Sequence, residues 1–389
     1  MSLARVVVSK RGAERARAGH LWVYRSEVRE VSSATGGAVV SVTDPYGNFV
    51  GRALFSDKSE ITLRLLTQED EPIDRDWWRN RIRNAAARRQ KISSLTNAHR
   101  MVFGESDLLP SLIIDRYQDV LVLQTLSQGT ESVKKTLVEL LVEEFSPAAI
   151  IERNDVRVRE HEGLARTSGV LYGNSPDELE ITQHGVRFLV APLAGQKTGL
   201  FLDQRENHLA AAAVAYGRAL DCFTFTGGFA LHMATRCENV VALDISAQAI
   251  AGAERNARLN GVANVHFREA NVFDALREFE SEGEQFDLVA LDPPAFAKNR
   301  SSIKSGARGY KEINLRALKL LRQGGLLVSC TCSYHISEKS FLEILAAAAN
   351  DAHRRIQILE KRMQASDHPM LLSMPETYYL KCIIARVIY

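Results

Sequence analysis

Cysteine is scarce in this sequence: five residues in 389, at Cys222, Cys237, Cys330, Cys332 and Cys382, with no paired CxxC spacing. A disulfide framework is therefore excluded in a chain this long, and reduced thiols are the expectation. No metal-ligand spacing appears, so no metal is expected. Nor does any uninterrupted apolar run reach the length needed to span a bilayer. The opening residues MSLARVVVSKRGAER lack both an apolar h-region and a small-residue cleavage site, which makes a cytoplasmic location the expectation and a membrane partner an unexpected one. Internal repeats and low-complexity tracts are also missing, which leaves ordinary globular domains.

What is present fits that class. A hydrophobic fraction of 46% and a charged fraction of 25% are those of a soluble globular chain, and 389 residues suggest two or three domains. Net charge is only +2, but residues 1–100 hold 18 Lys+Arg against 11 Asp+Glu, and the remainder holds 31 against 36. A polyanion docking on the basic quarter is one reading, since each Lys or Arg meeting a phosphate releases counterions. The other is that Arg79, Arg81, Arg83, Arg88, Arg89 and Lys91 form the solvated face of a helix.

Three regions follow from the patterning. From Arg5 to about Leu66, short alternating runs broken by Gly, Asp-Pro and Ser signals read as a small all-β module. A basic helix follows at roughly Asp74 to Ser93, with Trp77 and Trp78 near its start expected to anchor it to a core. The middle region reads as α+β, with strands near Leu112–Ile114, Val120–Leu126 and Ala149–Glu152 and a helix near Glu131–Phe145. A hairpin around Glu180–Pro192 leads into the last region, where strands and helices alternate as in a doubly wound parallel sheet. Its strands are RALDCFTF, NVVALDI, NVHFREA, FDLVALD and GLLVSCTC, with two more near Arg355–Glu360 and Tyr378–Val387; helices are expected at Ala247–Leu259 and Tyr310–Leu321.

Chemistry is concentrated where these strands end. Gly227 and Gly228, in the turn DCFTFTGGF from Asp221 to Phe229, allow a tight turn and close ligand approach, with helix amides behind them. The turn does not match G-x-G-x-x-G, so a dinucleotide site is the weaker reading. Asp244, ending the next strand, is placed to take the two hydroxyls of a ribose. LDPPAF at Leu291–Phe296 and SCTCS at Ser329–Ser333 put a carboxylate and a thiol at two further strand ends. That pairing suits methylation of cytosine on carbon.

In their order, GQKTGLFLDQREN (Gly195–Asn207), DCFTFTGGF, ALDIS, ANVFD, LDPPAF and SCTCS make the last region resemble a class I S-adenosylmethionine-dependent methyltransferase. Almost the whole chain is similar to the bacterial family that makes 5-methylcytosine in 23S ribosomal RNA. The resemblance implies an α/β fold class: a Rossmann-like methyltransferase domain at 193–389, an N-terminal PUA-like RNA-binding domain at 1–72, and between them, at 73–192, an α+β domain of strand-strand-helix-strand-strand type. It implies S-adenosylmethionine as cofactor and 23S ribosomal RNA as partner, and it allows a homodimer. Phe201, Asp203, Gln204 and Arg205 become candidate cofactor contacts, with Asp221, Phe223, Thr226 and Gly227 around the methionine moiety, Asp244 on the ribose, and Asp292 beside the reacting groups. Asn271 stands where the family usually has an acid for the adenine amine; its side-chain oxygen can still accept a hydrogen bond.

The same resemblance assigns Cys332 as nucleophile and Asp292 as the group that binds the N3/N4 edge of cytosine, with Pro293 and Phe296 as candidate substrate contacts, the latter by stacking. Cys332 is favoured over Cys330 because it falls where the strand gives way to Ser333-Tyr334-His335. No cysteine follows the first proline of LDPPAF, so release of the product by a second thiol is excluded. Two alternatives stay open: a methyltransferase of this architecture acting on a base nitrogen such as guanine N7, and a non-catalytic RNA-binding assembly factor.

Overall fold

The computed structural model describes residues 4–195 and 200–388, and the chain divides into two compact units. Unit 1 comprises Met1–Ile181, Val190–Leu202 and Asp367–Thr377; unit 2 comprises Thr182–Leu189, Asp203–Ser366 and Tyr378–Tyr389.

Unit 1 contains two sheets. In the first, β1 (Arg5–Val8), β2 (Trp22–Tyr24), β3 (Val28–Ser32), β4 (Val39–Thr43), β5 (Phe49–Phe55) and β6 (Ile61–Thr67) lie in the order β2-β6-β5-β4-β1-β3. The β1–β4 pair is parallel. An all-β reading of this module is corrected by α1 (Lys10–Arg17), which Ser9 caps by accepting from the Gly12 amide. Its buried face is only Gly12, Ala13 and Ala16, so no apolar stripe announces it.

Next comes α2 (Arg75–Arg88), begun by Asp74 accepting from the Trp77 amide at 2.9 Å. Trp77 and Trp78 are both buried, edge to face at 5.1 Å, in one core with Ile82 and Ala85. The second sheet runs β11-β10-β9-β8-β7, built from β7 (Ala98–Phe103), β8 (Leu112–Tyr117), β9 (Val120–Thr125), β10 (Ala149–Arg153) and β11 (Ser168–Gly173). Helices α3 (Gln128–Ser132) and α4 (Lys134–Phe145) connect β9 to β10. Strands β8, β9, β10 and β11 follow the strand-strand-helix-strand-strand pattern that the resemblance implies, and β7 and the split of the helix into two extend it.

The basic run on α2 is neither wholly solvated nor free for a polyanion. Arg75 pairs with Glu139 (2.9 Å) and Glu143 (2.5 Å), Arg79 with Glu143 (3.0 Å), and Arg83 with Glu144, all on α4. Arg89, almost fully buried, pairs with Asp107 at 2.6 Å, and Arg88 meets the same carboxylate at 2.9 Å.

Strands β12 (Leu179–Gln183) and β13 (Val186–Val190) form a two-stranded sheet, with His184 and Gly185 in its turn. Unit 2 then alternates α5 (Arg205–Val214), β14 (Arg218–Cys222), α6 (Gly228–Ala234), β15 (Asn239–Asp244), α7 (Ala247–Leu259), β16 (Val265–Glu269), α8 (Val272–Ser281), β17 (Phe286–Leu291), α9 (Ile303–Leu320), β18 (Leu321–Thr331), α10 (Glu338–Asp351), β19 (Ile356–Met363) and β20 (Lys381–Val387). The sheet order is β16-β15-β14-β17-β18-β20-β19, with β14 to β18 parallel and β20 antiparallel to both its neighbours. Strand β17 shows why the run is apolar throughout. Val289 and Leu291 enter the core on one face of the sheet while Leu288 and Ala290 enter the core on the other, as expected of a parallel strand covered on both sides. Each large side chain so buried contributes about 1.5–3 kcal/mol.

Candidate functional site

Strand order reverses at β14, whose neighbours β15 and β17 continue in opposite directions across the sheet. Ligands of open α/β sheets bind at the carboxyl ends of strands at such a switch point. Asp221, Asp244, Asp292 and Cys332 lie at or just beyond the carboxyl ends of β14, β15, β17 and β18.

The turn after β14 is held in an unusual backbone conformation. Phe223 (φ 66), Phe225 (φ 50) and Gly227 (φ 92) are all left-handed, a region in which bulky residues rarely settle unless their surroundings fix them. Two carboxylates do the fixing. Asp221 Oδ2 accepts from Thr224 Oγ1 (2.6 Å) and the Ala230 amide (2.9 Å), and Asp244 Oδ2 accepts from the Phe225 amide (2.9 Å). Asp244 Oδ1 takes the Ser246 amide at 2.9 Å. Among the described residues, Asp221 Oδ1 and Thr226 Oγ1 are buried without a hydrogen-bond partner. Such orphaned oxygens cost free energy unless a ligand or water supplies a donor. Burial pushes the Asp221 carboxyl up to about 7, against the lowering effect of Thr224 and Ala230.

The segment before α5 reaches the same strand ends. Gln204 Nε2 donates to Asp292 Oδ1 at 2.8 Å, and Gln204 Oε1 accepts from Asn207 Nδ2 at 2.7 Å. Asp203 Oδ2 accepts from the Tyr379 hydroxyl at 2.6 Å. Arg205 is buried beside Glu206. Phe201 belongs to the Val190–Leu202 segment of unit 1 and is half-buried. Residues 196–199 of the GQKTG stretch lie outside the described residues. Asn271 is exposed and caps α8, accepting from the Phe273 amide at 2.9 Å.

The loops after β17 and β18 are tied together. Ser333 Oγ accepts from the Ala297 amide at 3.1 Å and lies 2.8 Å from the Tyr310 hydroxyl, while the Cys332 thiol donates to the Pro293 carbonyl at 3.8 Å. Phe296 packs against Tyr310 (4.8 Å), Phe273 (5.9 Å) and Phe223 (6.4 Å). Helix α9 comes so close to this loop that a Cβ on Gly306 would stand 3.0 Å from the Ala297 amide nitrogen, and one on Gly309 would stand 3.1 Å from the Phe296 ring. Sequence reasoning missed Tyr310 and Ser333 as builders of the site. The signal was a Ser directly after the Cys and a polar ring on the same helix face as Ile313, Ala317 and Leu320.

Thiol environments differ sharply. Cys222 and Cys330 are fully buried, and burial drives both well above the usual thiol range. Cys237 is pushed up to about 11 by burial, and Cys382 is buried opposite Cys330 on β20. Cys332 alone is partly accessible. The arrangement can therefore hold a ligand over the β14–β15 turn and present one accessible thiol beside a carboxylate.

Comparison with known proteins gives three kinds of match. Residues 6–68 match the PUA-like domain family, and residues 105–370 match the S-adenosylmethionine-dependent methyltransferase family. Ribosomal RNA large subunit methyltransferase I of Erwinia tasmaniensis is 41% identical over 378 residues, covering 95% of this chain and 96% of its own. The protein of the same name from Shewanella denitrificans is 40% identical over 379 residues, covering 95% of each. A solved SAM-dependent methyltransferase from Streptococcus mutans superimposes with a TM-score of 0.85 at 18% identity, over 98% of this chain and 100% of its own. The structure of the methyltransferase SMU.776 complexed with SAH gives 0.86 at the same identity and coverage. At that identity the two structures speak for the fold alone.

Proposed function

Because the chain belongs to the ribosomal RNA large subunit methyltransferase I family, S-adenosylmethionine-dependent and PUA-bearing, we propose that it methylates C5 of a cytosine in 23S ribosomal RNA through a covalent bond between Cys332 and C6. The observation that carries this reading is the placement of Cys332. It is the one partly accessible cysteine, and it stands at the end of β18 against the loop that begins with Asp292.

The donor set fits the cofactor. The unpartnered Asp221 Oδ1 and Thr226 Oγ1 offer acceptors for an amino group at the glycine turn. Half-buried Asp244 has lone pairs left for ribose hydroxyls beyond the two amides it already accepts. Asp203, Gln204, Arg205, Phe223 and Gly227 complete the set, with Asn271 as a further contact. S-adenosylmethionine, when bound, supplies an electrophilic methyl group on a sulfonium.

Cytosine C5 is too weak a nucleophile to take that methyl unaided. Addition of the Cys332 thiolate to C6 forms the Sγ–C6 bond and moves the C5=C6 electron pair onto C5, making it enamine-like. Asp292, oriented by Gln204, binds the N3/N4 edge of the ring, where charge develops. Pro293 and Phe296 border the extruded base. A base takes the C5 proton, and the freed C–H pair re-forms C5=C6 as the C6–Sγ bond breaks and the sulfur leaves as thiolate.

The test uses 23S RNA carrying 5-fluorocytidine, in which fluorine cannot leave as a proton. The wild type should be trapped as an adduct that peptide mapping places on Cys332. Cys332→Ala should abolish methylation and keep cofactor affinity, and Cys330→Ala should remain active. An adduct on Cys330, or none from an active enzyme, would overturn the reading.

A further inference from the structure

Between Asp292 and Glu312 the chain carries five basic residues, Lys298, Arg300, Lys304, Arg308 and Lys311, and no acidic one. The mechanism above uses none of them. Lys298 lies in the loop after β17, Arg300 opens a single 3-10 turn (Arg300–Ser302), and Lys304 and Arg308 stand on the first half of α9. These four are exposed, and among the described residues no carboxylate lies within ion-pair distance of any of them. Lys311 differs, pairing with Asp351 at 2.6 Å.

The second half of the same helix follows the opposite rule. Arg316 pairs with Glu280 and with Glu312 (3.1 Å), and Lys319 pairs with Glu280 at 2.7 Å. Charge is neutralised there and left open on the half where Gly306 and Gly309 pack against Ala297 and Phe296 of the Asp292 loop. Lys304 and Arg308 are four residues apart, so they share one helix face with about 6 Å of rise between them. Both border a groove of about 410 Å³ between α9 and α10, with Ile303, Ala307, Ile344 and Ala347 in its lining. Such a lining suits their methylene stems and leaves the charged heads to solvent. Glu343 borders the groove too, beyond ion-pair distance of either cation.

Resting on the reading of the chain as a 23S RNA cytosine methyltransferase, we propose that Lys298, Arg300, Lys304 and Arg308 form a track that holds the RNA backbone beside the extruded cytosine. A base reaches the loop of Asp292 and Phe296 only when its nucleotide is splayed out of the helix, and a splayed nucleotide has to be gripped by its flanking phosphates. Contacts of that kind carry no sequence information but fix the register in which the base is offered. The four cations hold no carboxylate of their own, so a phosphate binding there displaces only counterions, which is the favourable case. The arginines of α2 are spent by contrast, since Arg75 and Arg83 already pair with carboxylates.

The experiment is filter binding of in vitro transcribed 23S RNA across a potassium chloride series, with methylation kinetics on the same RNA. It uses the full-length wild type, Lys304→Ala combined with Arg308→Ala, Lys298→Ala combined with Arg300→Ala, and the charge-preserving Lys304→Arg combined with Arg308→Lys. Each alanine pair should lower the log–log slope by about 1.4–1.8, the worth of two phosphate contacts, and weaken binding about tenfold near 0.15 M salt. The loss should appear in KM for RNA more than in kcat, with S-adenosylmethionine affinity unchanged, and the charge-preserving pair should keep the wild-type slope. Unmoved slopes in both folded alanine pairs, with the wild type still forming 5-methylcytosine, overturn this inference alone. A wild type whose product in that RNA is not 5-methylcytosine overturns the reading on which it rests.

Discussion

The hydroxyls of Tyr310 and Ser333 lie 2.8 Å apart in the core, and through Ser333 the loop after β18 is bonded to the Ala297 amide of the loop after β17. The carboxylate loop and the thiol loop therefore share one buried anchor. Tyr310→Phe removes it while leaving the ring in place. The expected loss is about 1 kcal/mol of unfolding free energy, read from urea melts. A fall in kcat without a matching change in cofactor affinity should accompany it, and full activity would separate the anchor from the chemistry.

Asp244 holds the Phe225 and Ser246 amides and is assigned the ribose. Asp244→Ala should weaken S-adenosylmethionine binding by about 1.5–3 kcal/mol, the worth of charge-assisted hydrogen bonds. Calorimetry on the folded variant decides it, and unchanged affinity would remove Asp244 from the cofactor site.

A third outcome concerns pH. Asp221 titrates near 7 in the folded chain because burial disfavours its charge, whereas the unfolded carboxyl titrates near 3.9. Between those values the folded state holds the extra proton. Stability from this group therefore falls as pH rises through the window, and its cost is fully present above about 7. Asp221→Asn cannot titrate. Denaturation of both ligand-free proteins from pH 4 to 8 should show the wild type losing ground at up to about 1.4 kcal/mol per pH unit. A constant difference would show that the acid is already ionised.

RNA affinity supplies the fourth. Arg75 and Arg83 are paired with α4 carboxylates, so Arg75→Ala and Arg83→Ala should leave the salt dependence of RNA binding unchanged. A true phosphate contact would lower the log–log slope by about 0.7–0.9 for each residue lost. Filter binding across a salt series would distinguish the two.

Where sequence sufficed, the information was local. Helix α7 was legible with both its ends because Ser246 caps it and Ala249, Ile250, Ala253 and Ala257 mark its buried face. Parallel strands such as β17 announce themselves as apolar runs, and the acids at their ends follow. Helix α9 was read only from Tyr310, seven residues late, because Gly306 and Gly309 look like breakers until the loop they accommodate is seen. The pairings of α2 arginines with α4, and of Lys381 with Thr331 on β18, join residues far apart in sequence. Charge counts cannot see the first, and strand periodicity cannot see the second.

The two glycines of α9 change what a mutation there would mean. Each costs the helix roughly 1 kcal/mol relative to alanine, so Gly→Ala would ordinarily count as a stabilising edit. Here the added methyl meets the Ala297 backbone or the Phe296 ring. Variation at these helix positions is thereby tied to the loop after β17 that begins with Asp292, so a substitution on α9 is felt in a segment that precedes the helix in sequence.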